Sequence, residues 1–404
     1  MIIRERYINE LKAFIDKPLI KVLTGIRRSG KSTMLKLFKK EILNKDIEIS
    51  QIIDVNLESF NYAHLTNAKE LYDFIKSNIK NTKKHYLLLD EIQEVKEWEK
   101  AVNALFVDFN VDIYITGSNS HLLSSELATH IAGRYIEIPV FTLSFAEFIN
   151  FRKYYFNEEK NTTKQFQEYL KMGGFPVVHI SDYTLESAYK IVYDIYSSVI
   201  LRDTLQRYKI RDTELLERII KYAFDNIGNT FSGKNVADYF KSQQRKIDIN
   251  TVYNYLNALE GAFILYKVPR YDIRGKEVLK TQEKHYLSDV SLLYATMGFK
   301  TSMIAQLLEN IVFLELKRRE YRVYVGKIDQ KEIDFIAERN DEKIYLQVAY
   351  KIESKETENR EFYTLSTIKD QYPKYVVTMD DFWNENLYGV KHMHIKDFLL
   401  AESF

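Results

Sequence analysis

The run Gly25-Ile26-Arg27-Arg28-Ser29-Gly30-Lys31-Ser32 follows the apolar stretch LIKVLT at 19–24 and opens the helical pattern Lys31–Leu43. Two glycines with four residues between them, followed at once by Lys-Ser, meet the spacing of a phosphate-cradling loop. The glycines let backbone N–H groups turn inward around a β-phosphate, and the helix that follows presents its positive N-terminus to the same anion. Lys31 is placed to neutralise β- and γ-phosphate oxygens, and the Ser32 hydroxyl to ligate Mg²⁺. Ile26, Arg27, Arg28, Ser29 and Thr33 complete the expected nucleotide-binding set.

Outward from that loop, the next decisive run is Tyr86-Leu87-Leu88-Leu89, a buried-strand pattern ending in Asp90 and Glu91. Asp90 is placed to hold the magnesium through water, and Glu91 to orient and polarise an attacking water. The strand pattern Asp112–Thr116 runs into Gly117-Ser118-Asn119-Ser120, where Ser118 or Asn119 is positioned to sense the γ-phosphate if the two strands are neighbours. An ordinary polar turn is the other reading of that run. Arg134 precedes the strand pattern Tyr135–Val140 and is either a finger reaching a neighbouring subunit's γ-phosphate or a surface ion-pair partner.

Strand patterns at Leu19–Thr24, Gln51–Val55, Tyr86–Leu89, Asp112–Thr116 and Tyr135–Val140 alternate with helical patterns at Lys31–Leu43, Ala68–Ile79 and Trp98–Phe109. That alternation predicts an α/β fold with a parallel sheet over residues 1–141. Residues 142–224 read as a helical lid, interrupted by Gly173-Gly174-Phe175-Pro176. Residues 225–284 carry helix, linker, helix and then an apolar run with a basic continuation, the order of a helix-turn-helix with a wing. Residues 285–404 read as a second α/β unit, with helix Ile304–Arg319 and strands Arg322–Val325, Glu332–Ala337 and Ile344–Ala349.

Composition narrows the function classes. The 404 residues exceed one ordinary core, and 58 Lys plus Arg against 57 Asp plus Glu leave no global field to draw nucleic acid or an anionic membrane. With no cysteine, disulfides, Cys-ligated zinc and thiol nucleophiles are excluded, which fits a cytoplasmic location. The charged N-terminus does not read as a signal peptide, and no apolar run is long enough to span a membrane. The dispersed histidines offer no plausible zinc set.

The stretch from GIRRSGKST through LLLDEIQEV and TGSNSHLLSSELATHIAGRYIEIPVFTLSFAEF to GGFP resembles the AAA_14 family, bacterial and archaeal ATPases with an AAA-type P-loop domain followed by a DUF4143 region. The resemblance covers essentially the whole chain and implies ATP rather than GTP. It places Gly25–Ser32 as Walker A, Asp90 and Glu91 as Walker B, Ser118 or Asn119 at the sensor position, and Arg134 in a GR motif suspected of acting as a finger.

The same resemblance implies a winged helix at 225–284, with Thr251, Tyr253 and Asn254 on its recognition helix and Arg270, Arg274, Lys276 and Lys280 on its wing. Between Arg207 and Lys284 there are 15 Lys plus Arg against 10 Asp plus Glu, a local surplus suited to DNA phosphates, although such a module can equally dock a protein. The C-terminal unit resembles the PD-(D/E)XK nuclease class, with Glu309, Asp334 and Gln347 in the acid positions. Gln347 and Ala349 depart from the Glu-x-Lys pair of that class, so a vestigial site is expected. By the period of two, Lys351 is expected on the strand face of Gln347 and Ala349 as a partial substitute for the lysine.

Overall fold

Five strands, β1 (Ile20–Thr24), β2 (Ile52–Asn56), β3 (His85–Asp90), β4 (Val111–Thr116) and β5 (Tyr135–Pro139), form a parallel sheet in the order β2-β3-β4-β1-β5. Helices α1 (Glu5–Ala13) and α2 (Lys31–Leu43) cover one face, and α3 (Ala68–Asn78) and α4 (Trp98–Asp108) the other. The central strand β3 reads as a continuous apolar run because both its faces are covered, whereas the edge strands β2 and β5 expose Asp54 and Glu137. Val22, Leu87, Leu89, Ile113 and Ile115 pack with Leu71, Trp98 and Leu105, whereas Leu23, Leu88 and Tyr114 pack with Leu11, Leu35 and Phe38.

This computed structural model describes residues 2–45, 47–120, 133–158, 161–298, 300–381 and 386–404, excepting the side chains of 280–282. The chain divides into two compact units, Met1–Thr142 with Gly261–Phe263, and Leu143–Glu260 with Ile264–Phe404. No helix among the described residues is long and apolar enough to cross a membrane.

The second unit begins with helices Phe145–Phe156, Thr162–Met172, Leu185–Ser198 and Thr213–Asp225. The Gly173-Gly174 turn is required sterically: a Cβ on Gly173 would lie 1.9 Å from Asp289 Oδ1, and one on Gly174 would lie 2.4 Å from the Leu143 carbonyl oxygen. Helices Gly233–Ser242 and Ile249–Gly261 follow the two-residue strand β6 (Thr230–Phe231). The remaining strands are β7 (Leu265–Asp272), β8 (Glu277–Leu287), β9 (Arg322–Ile328), β10 (Lys331–Arg339), β11 (Glu342–Val348), β12 (Lys374–Thr378), β13 (Asn386–Leu387) and β14 (Val390–His394). They form one mixed sheet in the order β13-β14-β12-β11-β10-β9-β7-β8-β6.

The expected division between 284 and 285 therefore falls inside β8. Residues Arg270–Asp272 of β7 pair in parallel with Val325–Lys327 of β9, so the hairpin expected as a wing is bonded along one edge. An open edge would leave backbone donors and acceptors without partners, and β9 takes them up.

Candidate functional site

The chain leaves β1 at Thr24 and turns back over the end of the sheet before entering α2. Three residues of this turn have left-handed backbone, Gly25 at φ 137°, Arg28 at φ 67° and Gly30 at φ 105°. At Gly25 glycine is obligatory, because a Cβ there would sit 2.2 Å from the Val140 carbonyl oxygen. Ile26 and Ser29 are buried, Arg28 is exposed, and Ser32 and Thr33 are half-buried in the first helical turn. The Ser29 Oγ is enclosed with no hydrogen-bond partner. Lys31 is buried, and its Nζ donates to the carbonyls of Gly25 at 2.8 Å and Ile26 at 3.1 Å. Arg27 forms an ion pair with Glu58, just beyond β2.

Asp90 closes β3 beside this loop. Its carboxylate accepts hydrogen bonds from the Thr116 hydroxyl at 2.6 Å and from the Asn56 amide at 3.3 Å, and the Ser32 hydroxyl lies near enough to favour its charged form. Burial raises its pKa above the ordinary aspartate value, and the Thr116 and Ser32 hydroxyls oppose that rise. Glu91 is buried with a left-handed backbone at φ 55°, its N–H donates to Thr116 Oγ1 at 2.9 Å, and its carboxylate accepts from the Gln93 amide. Because β3 and β4 are neighbours, Ser118 and Asn119 leave the sheet next to this acid pair, and both are fully buried.

Arg134 stands at the opposite edge of the sheet. Ile20 is in register with Tyr135 and Thr24 with Pro139, so Arg134 lies where β1 starts and the loop where β1 ends. At ~3.3 Å per residue this separates them by about 16 Å. Its guanidinium donates to Asn103 Oδ1 at 3.0 Å. Within its own chain Arg134 does not join the site.

Four contributors were not foreseen: Arg4, Asn56, Gln93 and Thr116. Arg4 is buried and donates to the carbonyls of Ser29 at 3.0 Å, Phe141 at 2.9 Å and Thr142 at 3.3 Å, tying the loop to the end of β5. Thr116 had a signal, a polar residue ending an apolar strand; Arg4 had none in its own neighbourhood.

In the second unit, Thr251 and Tyr253 are half-buried on helix Ile249–Gly261 and Asn254 is exposed. The Tyr253 ring lies against Gly233, where a Cβ would meet it at 2.7 Å, so this side chain packs between helices rather than standing out from them. Arg270 is half-buried on β7, Lys276 is exposed, and Arg274 pairs with Asp329 at 2.7 Å. The Lys280 side chain lies outside the described residues.

Glu309, Asp334 and Gln347 do converge, lining a cavity of about 1100 Å³ together with Lys284, Glu332 and Glu361. Lys351 is not among its lining residues. β11 ends at Val348, so the alternation that would have carried Lys351 to the face of Gln347 no longer applies, and the side chain is exposed.

Residues 17–149 match the family described as an AAA domain, and residues 163–303 match a domain of unknown function, DUF8612, where DUF4143 had been expected. An uncharacterized protein of Haemophilus influenzae is 40% identical over 403 residues, 99% of each chain. An uncharacterized protein of Methanocaldococcus jannaschii is 30% identical over 359 residues, 85% of this chain and 77% of its own. The Walker-type ATPase PABY2304 of Pyrococcus abyssi superposes with a TM-score of 0.53 at 16% identity, covering 73% of this chain and 96% of its own, a likeness of fold alone.

Proposed function

The chain belongs to the AAA_14 family of AAA-type P-loop ATPases, and on that footing we propose that it hydrolyses ATP with Mg²⁺ and uses the cycle to remodel or translocate DNA. The observation that carries the hydrolytic reading is the placing of Asp90 near the Ser32 hydroxyl at the mouth of the loop, with Glu91 next to it. The residues fit the ligands. Ser32 and Asp90 are a pair of hard oxygen donors, and the enclosed Ser29 Oγ is a polar atom still open to an oxyanion. Bound Mg²⁺ supplies neutralisation of the β- and γ-phosphate charge.

Lys31 swings from its two loop carbonyls to the phosphate oxygens. Glu91 takes a proton from the attacking water as its oxygen bonds to the γ-phosphorus and the β–γ bridging oxygen departs with ADP. Ser118 and Asn119 register the terminal phosphate. Arg134, turned away from its own loop, serves the loop of an adjoining copy in a homo-oligomer. Phosphate release from the native chain, with loss in Lys31→Ala and a fall of about 10²–10⁴-fold in Glu91→Gln, tests the chemistry. A Lys31→Ala chain as active as the native one ends the proposal.

For DNA, the support is the basic surplus of 207–284 and the element order, helix Thr213–Asp225, β6, two helices and the β7–β8 hairpin, which is that of a winged helix. A second reading, an ATP-occupancy switch that docks a protein, rests on the Arg274–Asp329 pair and on the β9-bonded hairpin, both of which reduce what the wing can offer to phosphates. DNA-stimulated turnover at low salt supports the first. Unchanged turnover with single- and double-stranded DNA, together with negligible DNA affinity of Glu91→Gln, supports the second.

A further inference from the structure

The cavity of the second unit holds a cation of its own. Lys284 on β8 is 3% exposed, and its Nζ lies 2.8 Å from Glu309 Oε1, 2.8 Å from Glu332 Oε1 and 3.6 Å from Asp334 Oδ1. The Tyr286 hydroxyl donates to the same Glu309 oxygen. The other Asp334 oxygen accepts the Val348 N–H at 2.8 Å. Gln347 is committed at both ends: Oε1 accepts the Asp334 N–H at 2.7 Å, and Nε2 donates to Glu361 Oε2 at 2.8 Å.

A nuclease-like site built on Glu309 and Asp334 implies a divalent cation, and these residues do not fit one. The third acid is an amide whose oxygen is already used, and an ammonium occupies the point at which three carboxylates converge. A divalent ion needs oxygens at ~2.0–2.6 Å, and bringing it to those already around Lys284 would set three positive charges within a few ångström in a buried place. Among the described residues no group of His, Cys, Asp or Glu is arranged to hold a metal.

We propose that Lys284 is a built-in counter-ion standing where the metal of a nuclease-like site would stand, so that the native cavity takes no divalent cation and acquires a site for one only when this ammonium is removed. The consequence is a unit that meets its ligand through charge and shape, without metal-assisted cleavage. The inference does not depend on ATP hydrolysis.

The test is Mn²⁺ binding by the nucleotide-free full chain, followed by electron paramagnetic resonance and thermal melting. The native chain and Asp334→Asn should bind Mn²⁺ alike. Lys284→Met, neutral and close in length, should gain one ion per chain that a Lys284→Met/Asp334→Asn double variant loses, and Mn²⁺ should raise the melting temperature of Lys284→Met by more than that of the native chain. Native Mn²⁺ binding that Asp334→Asn abolishes overturns the proposal, as does a folded Lys284→Met that gains none. If Lys284→Met does not fold, the comparison of the native chain with Asp334→Asn still decides.

Discussion

The Thr116 hydroxyl donates to Asp90 Oδ1 at 2.6 Å and accepts the Glu91 N–H at 2.9 Å, so one side chain of β4 orients both acids at the end of β3. Thr116→Val keeps the shape and removes the hydroxyl. Its kcat for ATP should fall by about 10²-fold, the order of loss expected when a reacting group is displaced by about an ångström. KM should change little, and Thr116→Ser should recover most of the rate. Steady-state kinetics on the three chains decides it; a native kcat in Thr116→Val would show that the acids hold their places unaided.

Arg4 reaches the loop from outside the motif. Arg4→Met removes the charged donor from the Ser29 and Phe141 carbonyls and should cost about 1.5–3 kcal/mol of stability. Because Ser29 belongs to the loop, ATP should also bind more weakly. Urea unfolding and nucleotide titration measure the two effects separately, and unchanged affinity would confine Arg4 to a structural role.

Arg134 and the loop occupy opposite ends of β1, which makes a specific prediction for mixtures. Arg134→Ala and Lys31→Ala should each be nearly inactive alone, yet mixing them should restore part of the turnover, since a copy with an intact loop then meets a copy with an intact arginine. Stable mixed oligomers without recovered activity would rule out action in trans.

His179 bears on pH dependence. It is buried edge-on to Phe148, its Nε2 donates to the Gly173 carbonyl at 2.9 Å, and burial lowers its pKa to about 4. The unfolded chain takes up this proton near pH ~6.5. Stability contributed by the neutral ring is therefore complete above that pH and is lost as pH falls through about 4. The urea midpoint should drop across this window, and His179→Gln should drop less. Parallel slopes for the two chains would exclude His179 as the cause.

The glycine-bounded turn between β1 and α2, the Asp90–Glu91 pair at the end of β3 and the five strands of the first unit were legible because their signals are local. Glycine spacing, apolar runs and helical periodicity are properties of a few adjacent residues, and the observed strands begin and end within about a residue of the patterns. Lys351 shows where such reasoning stops. Alternation holds only while the strand continues, and β11 ends at Val348, short of Lys351.

What the order of residues determined unaided is the local frame of the first site, since loop, strand end and helix start are covalently adjacent. Folding in three dimensions decided which distant groups complete it and which sites are altered. Arg4 meets Ser29, Thr116 meets Asp90, and Lys284 meets Glu309 only because strand pairing and the packing of helices bring them together. Such contacts depend on partners far apart in the chain, and no local propensity encodes those partners.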